Sequence, residues 1–404
     1  MRHSHTNTVV PLENTTWWNN HVKYSKFRRQ GIDIVCASFD HPKPKANLIF
    51  LTGLTESFIK YAEIIQFFYE RRFSVHTYDH QSQGLSGRCK FNHNLISHLY
   101  PLLSQFFSSP TGLTESQSLW VNTFDDYVDD FVYFVTSISK DHPHLPVFVL
   151  AHSMGGFITT AAMARLPTLV SRAALCSPML RMKCGVKAMD FKYPLPQTLT
   201  HWITTLSCYM GLGTYHALGY FKEKNTDKLS INVFTSDQAQ LDKWMALRLS
   251  YPQLITTCVT NDWVLQSIRA QRRLATKYQF VKTNTLVLSA EHDYLVYNRA
   301  MAMFVKQAPH AKMLCAPGAY HEILCEKESI RQAALKVIFD FFSQKQDDVS
   351  LVFNYSFAEI RAVMRSDFLT GRCRPAHVRP IADSLCSDRR MICILRIGAL
   401  RDRA

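Results

Sequence analysis

The chain has 404 residues, 47% apolar and 19% charged, and a formal charge of +14. That length accommodates one large core or two modest ones, so a single enzyme domain carrying an inserted subdomain fits. The longest apolar runs are strand-length, far short of the ~18 residues that span a bilayer, and residues 1–20 lack a signal-type apolar region, so neither export nor a membrane span is expected.

The remaining composition narrows the partners. Eleven scattered cysteines without a C-x-x-C pair suit a reducing cytoplasm. H-x-H at His3/His5 and His142/His144 lacks cysteines or carboxylates at zinc spacing, so no metal is expected. No nucleic-acid motif accompanies the positive charge, which leaves a solvated basic surface or attraction to an anionic membrane face.

In chain order, residues 47–51, 74–78, 146–150, 173–176, 285–289 and 312–315 are short apolar runs that read as buried strands. Between them, residues 58–69, 124–138, 156–164, 299–306 and 330–342 carry the 3.6-residue spacing of helices. Such alternation predicts an α/β fold, a mostly parallel sheet with helices on both faces. The core is expected over 31–180 and 282–345, after an N-terminal segment, 1–30. The interval 181–281 breaks the rhythm and is rich in aromatics (Trp202, Tyr209, Tyr215, Tyr220, Phe221, Phe234, Trp244, Trp263), as an inserted, mainly helical cap would be. These rings could line an apolar slot for an acyl chain or form the cap's own core. Residues 90–120 read as a long loop. From Gln346 onward come ten arginines, no lysine and seven acidic residues, a tail expected to lie outside the fold.

Residues 146–156, Pro-Val-Phe-Val-Leu-Ala-His-Ser-Met-Gly-Gly, deliver Ser153 from a strand into a turn of small residues followed by a helix. This is the pattern of a nucleophile elbow in the α/β-hydrolase fold, in which Gly155 and Gly156 supply the small volume the turn needs. In that fold the acid and then the histidine follow the serine. His321 comes directly after the last expected strand. Two carboxylates, Glu291 and Asp293, end the preceding one; Asp293, set before an apolar Leu-Val pair, is favoured as the acid and His292 reads as a loop residue. The oxyanion of a tetrahedral intermediate needs two N–H donors. Met154, after the nucleophile, offers one; Leu54 offers the other, with Gly53 letting the backbone turn after the strand at 47–51. The hexapeptide Thr-Gly-Leu-Thr-Glu-Ser recurs at 111–116, where no strand precedes it. Asp125, Asp126, Asp129 and Asp130 read as a solvated helix face near a helix N-terminus.

These segments resemble the bacterial lysophospholipases of the PldB type, relatives of monoacylglycerol lipases. The resemblance rests on residues 56–63 (Glu-Ser-Phe-Ile-Lys-Tyr-Ala-Glu), Asp79-His80 with Gln83-Gly84 and Ser86-Gly87-Arg88, 127–130, 150–156, 231–233, Trp263-Val264 and 318–324 with Glu326-Lys327. It runs from about residue 33 to 342. Two departures, Gln81-Ser82 after Asp79-His80 and the long loop at 90–120, bear on substrate fit. The resemblance implies a cofactor-free serine hydrolase that cleaves the acyl ester of a lysophospholipid through an acyl-serine. It also implies a cytoplasmic enzyme held peripherally at the anionic inner membrane. Rival readings are a monoacylglycerol lipase or general carboxylesterase, a peptidase, which would need an acidic site for the substrate amine, and a non-catalytic hydrolase-fold binding protein.

Overall fold

The computed structural model describes residues 15–89, 118–184, 195–217, 232–256 and 258–344. Most of the expected loop at 90–120, the second hexapeptide at 111–116, parts of the 181–281 interval and the tail after 345 lie outside them.

Eight strands form one sheet: β1 (Lys23–Arg29), β2 (Ile32–Phe39), β3 (Ala46–Leu51), β4 (Phe73–Tyr78), β6 (Val147–His152), β7 (Arg172–Cys176), β9 (Asn284–Ala290) and β10 (Ala311–Ala316), in the order β1-β2-β4-β3-β6-β7-β9-β10. From β4 to β10 all pairings are parallel; β1 with β2 and β2 with β4 are antiparallel. Side chains alternate across this sheet. Val147, Val149 and Ala151 of β6 join one buried cluster and Phe148 and Leu150 the other, so both faces are dry. A strand covered on both sides favours apolar residues at successive positions, which is why Leu-Ile-Phe-Leu of β3 and Val-Phe-Val-Leu of β6 appear in the sequence as unbroken apolar runs.

On the first face lie α3 (Phe124–Asp141), α4 (Ser153–Arg165) and α8 (Asn298–Gln307). On the second lie α1 (Thr15–His21), α2 (Ala62–Tyr69) and α9 (Glu328–Ser343), where Trp18 meets Phe39 at 4.8 Å and Phe342 stacks on Phe148 at 5.2 Å. Between β7 and β9 the described residues hold α5 (Gln197–Tyr209), α6 (Gln238–Ser250) and α7 (Asn261–Ala275). Two short strands, β5 (Ser118–Leu119) and β8 (Cys258–Val259), pair in a separate small sheet.

Two expectations change. The sheet begins at Lys23, inside the expected N-terminal segment 1–30: β1 turns into β2 through Gln30 and Gly31, both at positive φ. The strand Lys-Tyr-Ser-Lys-Phe-Arg-Arg hides its pairing behind cations, as an edge strand exposed to water does. The aspartates of α3 are only partly a solvated face. Asp126 and Asp130 are buried: Asp126 accepts from Gln30 Nε2 at 2.8 Å and from the Thr123 amide at 3.0 Å, and Asp130 pairs with Arg29 at 3.4 Å. They tie the helix to the β1-β2 turn.

Candidate active site

In open α/β sheets, ligands bind outside the carboxyl ends of the strands, where the direction of strand addition reverses. Here β4 lies on one side of β3 and β6 on the other, so the loops after β3 and β6 meet. The backbone makes the join itself: Gly155 N–H donates to Thr52 O at 3.1 Å.

Ser153 follows the last residue of β6 and opens α4 with φ of 50°, left-handed backbone that a non-glycine residue adopts only under constraint. Close packing supplies the constraint. A β-carbon on Gly155 would lie 2.7 Å from Thr52 O and 2.8 Å from Leu51 Cβ, and one on Gly156 would lie 2.7 Å from Pro178 Cβ. Only hydrogen fits at either position, and the serine is thrust out over the strand ends.

Three side chains converge there. His321 Nε2 lies 2.9 Å from Ser153 Oγ, and His321 Nδ1 lies 2.8 Å from Asp293 Oδ2. The other Asp293 oxygen accepts from the amides of Leu295 and Val296, each at 2.9 Å, which anchors the loop after β9. All three residues are buried. Burial disfavours a charged imidazole, but the Asp293 carboxylate, with Glu322 and Glu56 behind it, outweighs burial and raises the His321 pKa above the ordinary value. Burial works against ionisation of Asp293 too, and the facing His321 with the two amides holds its pKa below the usual value. Glu291 is exposed and accepts from Gly318 N–H at 2.8 Å, away from the imidazole.

Leu54 and Met154, the expected oxyanion donors, lie in the loop after β3 and at the start of α4, the two segments joined by the Gly155–Thr52 bond. Met154 is the second residue of α4, where no intrahelical acceptor exists. The Leu54 amide has no acceptor among the described residues, while its neighbours are clamped on both sides. Gly53 N–H donates to Glu56 Oε2 at 2.5 Å, Gln83 Nε2 donates to Gly53 O at 2.9 Å, and Gln83 Oε1 accepts from Thr55 N–H at 3.1 Å. Thr55 itself takes φ of 62°. A β-carbon on Gly53 would lie 2.8 Å from Glu56 Oε2 and 2.9 Å from the His152 ring.

Behind this turn lies a buried charge network to which reading the sequence alone assigned no role. Lys60 Nζ sits 2.7 Å from both Glu56 and Glu322, and Tyr61 OH donates to Glu56 at 2.7 Å. Burial pushes the Glu56 carboxyl up, yet Lys60 and His152 bring it down to about 2; at Glu322 burial prevails and the pKa rises. The cation thus joins the loop carrying Leu54 to the residue after His321. Asp79 braces the other side, accepting from Ser57 Oγ at 2.7 Å, Phe58 N–H at 2.9 Å and Leu85 N–H at 2.7 Å. These residues stand in the segments that carry the family resemblance, 56–63, Asp79-His80, Gln83-Gly84 and 318–324, but nothing local in the sequence pairs them with one another.

The segment before α6 grips the histidine loop. Glu322 N–H donates to Phe234 O at 2.8 Å, Thr235 Oγ1 to Cys325 O at 2.8 Å, and Glu326 accepts from Ser236 N–H at 2.9 Å and Tyr320 N–H at 2.7 Å. Among the expected slot aromatics, Trp244 and Trp263 are buried, whereas Trp202 and Tyr209 are exposed to solvent. Tyr220 and Phe221 lie outside the described residues. Asp40, His76 and His142 place ligand-type atoms within 4.8 Å of one another, but both His76 nitrogens already face Ser38 Oγ and Asn47 Oδ1, at 3.0 and 3.2 Å.

Lysophospholipase L2 of Escherichia coli strain K12 is 28% identical over 330 residues, covering 80% of this chain and 84% of that protein. Probable lysophospholipase L2 of Haemophilus influenzae is 25% identical, covering 73% and 83%. Among solved structures, a soluble variant of monoglyceride lipase from Saccharomyces cerevisiae superposes with a TM-score of 0.59 at 12% identity, covering 80% of this chain and 95% of that one, a likeness of fold. The chain has the α/β-hydrolase fold, with its mostly parallel sheet flanked by helices. A sequence profile of one family matches residues 42–328, most of the chain and every residue of the site just described, and the chain belongs to that family, Hydrolase_4, described as Serine aminopeptidase, S33.

Proposed function

We propose that this protein is a serine hydrolase that cleaves the acyl ester of a lysophospholipid, with Ser153 as nucleophile, His321 as base and Asp293 as acid. The observation that carries the reading is the unbroken chain Asp293–His321–Ser153, with separations of 2.8 and 2.9 Å, at a serine held in left-handed backbone.

His321 Nε2 takes the Ser153 proton as Oγ attacks the ester carbonyl, and Asp293 holds the tautomer and stabilises the imidazolium that forms. The Leu54 and Met154 amides receive the oxyanion; one such donor contributes about 10² to 10³ in rate. Collapse breaks the ester C–O bond, and the imidazolium proton goes to the departing glycerol oxygen. The acyl-serine is then hydrolysed by water, deprotonated at the same imidazole, and the free fatty acid leaves. No step needs a metal or cofactor. Residues 181–281 would act as a cap over the strand ends, held to the histidine loop through Ser236 and Glu326.

The lipid substrate comes from the relatives named lysophospholipase, which match over most of their own length. A peptidase would need a carboxylate free to hold an amine. Of the buried glutamates near the site, Glu56 and Glu322 are spent on Lys60 and Glu326 on the Ser236 and Tyr320 amides. Peripheral attraction to an anionic membrane is part of the proposal, and its support is the +14 charge. Among the described residues no helix is long and apolar enough to cross a bilayer.

The test is fatty-acid release from lysophosphatidylethanolamine, a monoacylglycerol and a short p-nitrophenyl ester in parallel. Preference for the lysolipid is expected. Turnover of the small ester alone would leave the triad standing and remove the lipid.

A further inference from the structure

Helix α5 is built inside out. A helix packed on a globular body turns its apolar stripe inward and its polar face to water. In α5 the buried side chains are Gln197 and Thr204. Gln197 Nε2 donates to Gln271 Oε1 on α7 at 2.9 Å, and Thr204 Oγ1 bonds back to Thr200 O at 2.8 Å. The outward positions, spaced three, four and three residues apart, are Leu199, Trp202, Leu206 and Tyr209, exposed by 46, 72, 58 and 89%. Met210 follows at the helix end. Elsewhere among the described residues, large exposed apolar side chains such as Tyr133, Leu166 and Met303 stand apart from this group, as single surface residues ordinarily do.

The flank of this stripe is cationic. Arg269 and Arg272 of α7 are exposed and have no carboxylate partner among the described residues. They flank Gln271, the residue through which α7 meets α5 in the Gln197–Gln271 bond, and their charges add to burial in lowering the pKa of His201 on α5. Leu, Trp and Tyr on one side of a helix beside unpaired arginines match the chemistry of a lipid headgroup region. Aromatic rings there sit with one edge apolar and one polar, and guanidinium groups meet phosphate. A second copy of the chain fits less well, because a two-fold contact sets the same patch against itself and would bring each arginine pair against the other.

We propose that the outward face of α5 docks the protein on a phospholipid bilayer with an anionic surface, with Trp202, Leu206 and Tyr209 entering the headgroup layer and Arg269 and Arg272 engaging phosphates. The proposal deepens the lipid-hydrolase reading and rests on it. It adds an apolar, salt-resistant component to the electrostatic attraction and gives it a place on the molecule.

The experiment is flotation of the full chain with vesicles of phosphatidylethanolamine, with and without phosphatidylglycerol, at low and high salt. Wild type is expected to float with the phosphatidylglycerol vesicles and to retain part of that binding at high salt. Trp202→Ser combined with Leu206→Ser should lower the partition about tenfold or more, since removing one such side chain is worth about a factor of ten. Arg269→Ser with Arg272→Ser should remove salt-sensitive binding and leave the apolar part. Hydrolysis of the dissolved p-nitrophenyl ester should stay unchanged in both variants, which shows that they fold. Unchanged flotation of the Trp202/Leu206 variant would overturn the proposal. So would failure of wild type to float, or a wild-type dimer in light scattering that the same variant dissolves. Failure of the lipid-substrate reading looks different: vesicle binding through α5 with no release of fatty acid from lysolipid.

Discussion

A buried imidazole is a useful base only if its surroundings return the basicity that burial removes. At His321 the return comes from Asp293, and the net shift is upward. The neighbouring His152 ring, 4.9 Å away, has no such partner, and burial takes its pKa down to about 4. Of the two rings only His321 is hydrogen-bonded to Ser153, and His152 faces Cys176 O instead. The neutral imidazole is the active form, so kcat/KM should fall as pH drops through a value above that of an ordinary histidine. In Asp293→Asn burial is opposed only by the more distant Glu322 and Glu56 carboxylates. The acid limb should then move to lower pH while kcat falls by about 10⁴. A pH profile of the short ester checks both, and an unmoved acid limb would contradict the role given to Asp293. Glu56 tests the oxyanion turn in the same way. Glu56→Gln leaves Lys60 half-compensated and loosens the bond to Gly53 N–H. Stability should drop by about 3 kcal/mol, as when one partner of a buried pair is removed. The kcat for the short ester should fall by up to ~10² with KM little changed, as for loss of one oxyanion donor. An unchanged kcat would mean that the Leu54 amide does not depend on this network.

At the scale of elements, the elbow between β6 and α4 is a packing solution. Ser153 holds φ of 50° because Gly155 lets the first turn of α4 lie against Thr52 and Leu51. Gly155→Ala would place a methyl against backbone that cannot withdraw. It should cost about 1 to 3 kcal/mol, read as a lowered urea midpoint, with activity reduced more than stability alone explains. A midpoint and activity equal to wild type would show that the turn has slack the distances deny. The strands β3, β4, β6, β7 and β9 were legible in the sequence because each is dry on both faces, and the half-exposed edge strand β10 through its Met-Leu-Cys run. The elbow was legible because its residues are consecutive. The β1-β2 hairpin was not: its apolar positions are interrupted by lysine and arginine, and Gln-Gly is a weaker turn signal than Asn-Gly. The support of the oxyanion turn was equally hidden, because Gln83 reaches back 28 residues to Thr55 and Lys60 forward to Glu322. Contacts set by topology leave no local pattern. The outward face of α5 misled for a related reason: Trp202 and Tyr209 have the composition of a slot lining, and only the placement of Gln197 and Thr204 shows which way the helix faces.

For the whole molecule, the sheet and its core close with α9. Phe341 and Phe342 are buried there, and the Arg172 guanidinium donates to Phe341 O and Gln344 O, each at 2.7 Å. Nothing described in the site reaches beyond that helix. A chain ending at Lys345 should therefore keep its unfolding midpoint and its activity on the short ester, whereas one ending before Phe341 should not fold. Loss of folded, active protein on truncation at Lys345 would mean that the arginine-rich tail belongs to the fold. Residues 1–345 still carry +11, so attraction to anionic vesicles should survive the same truncation and weaken as salt rises.

The central claim is that Ser153, driven by His321, forms a covalent acyl intermediate. Peptide mass spectrometry after reaction with a fluorophosphonate probe tests it most directly. The account predicts a single adduct on Ser153, absent in Ser153→Ala and strongly diminished in His321→Ala. An adduct on another residue, or hydrolysis that persists in Ser153→Ala, would contradict it.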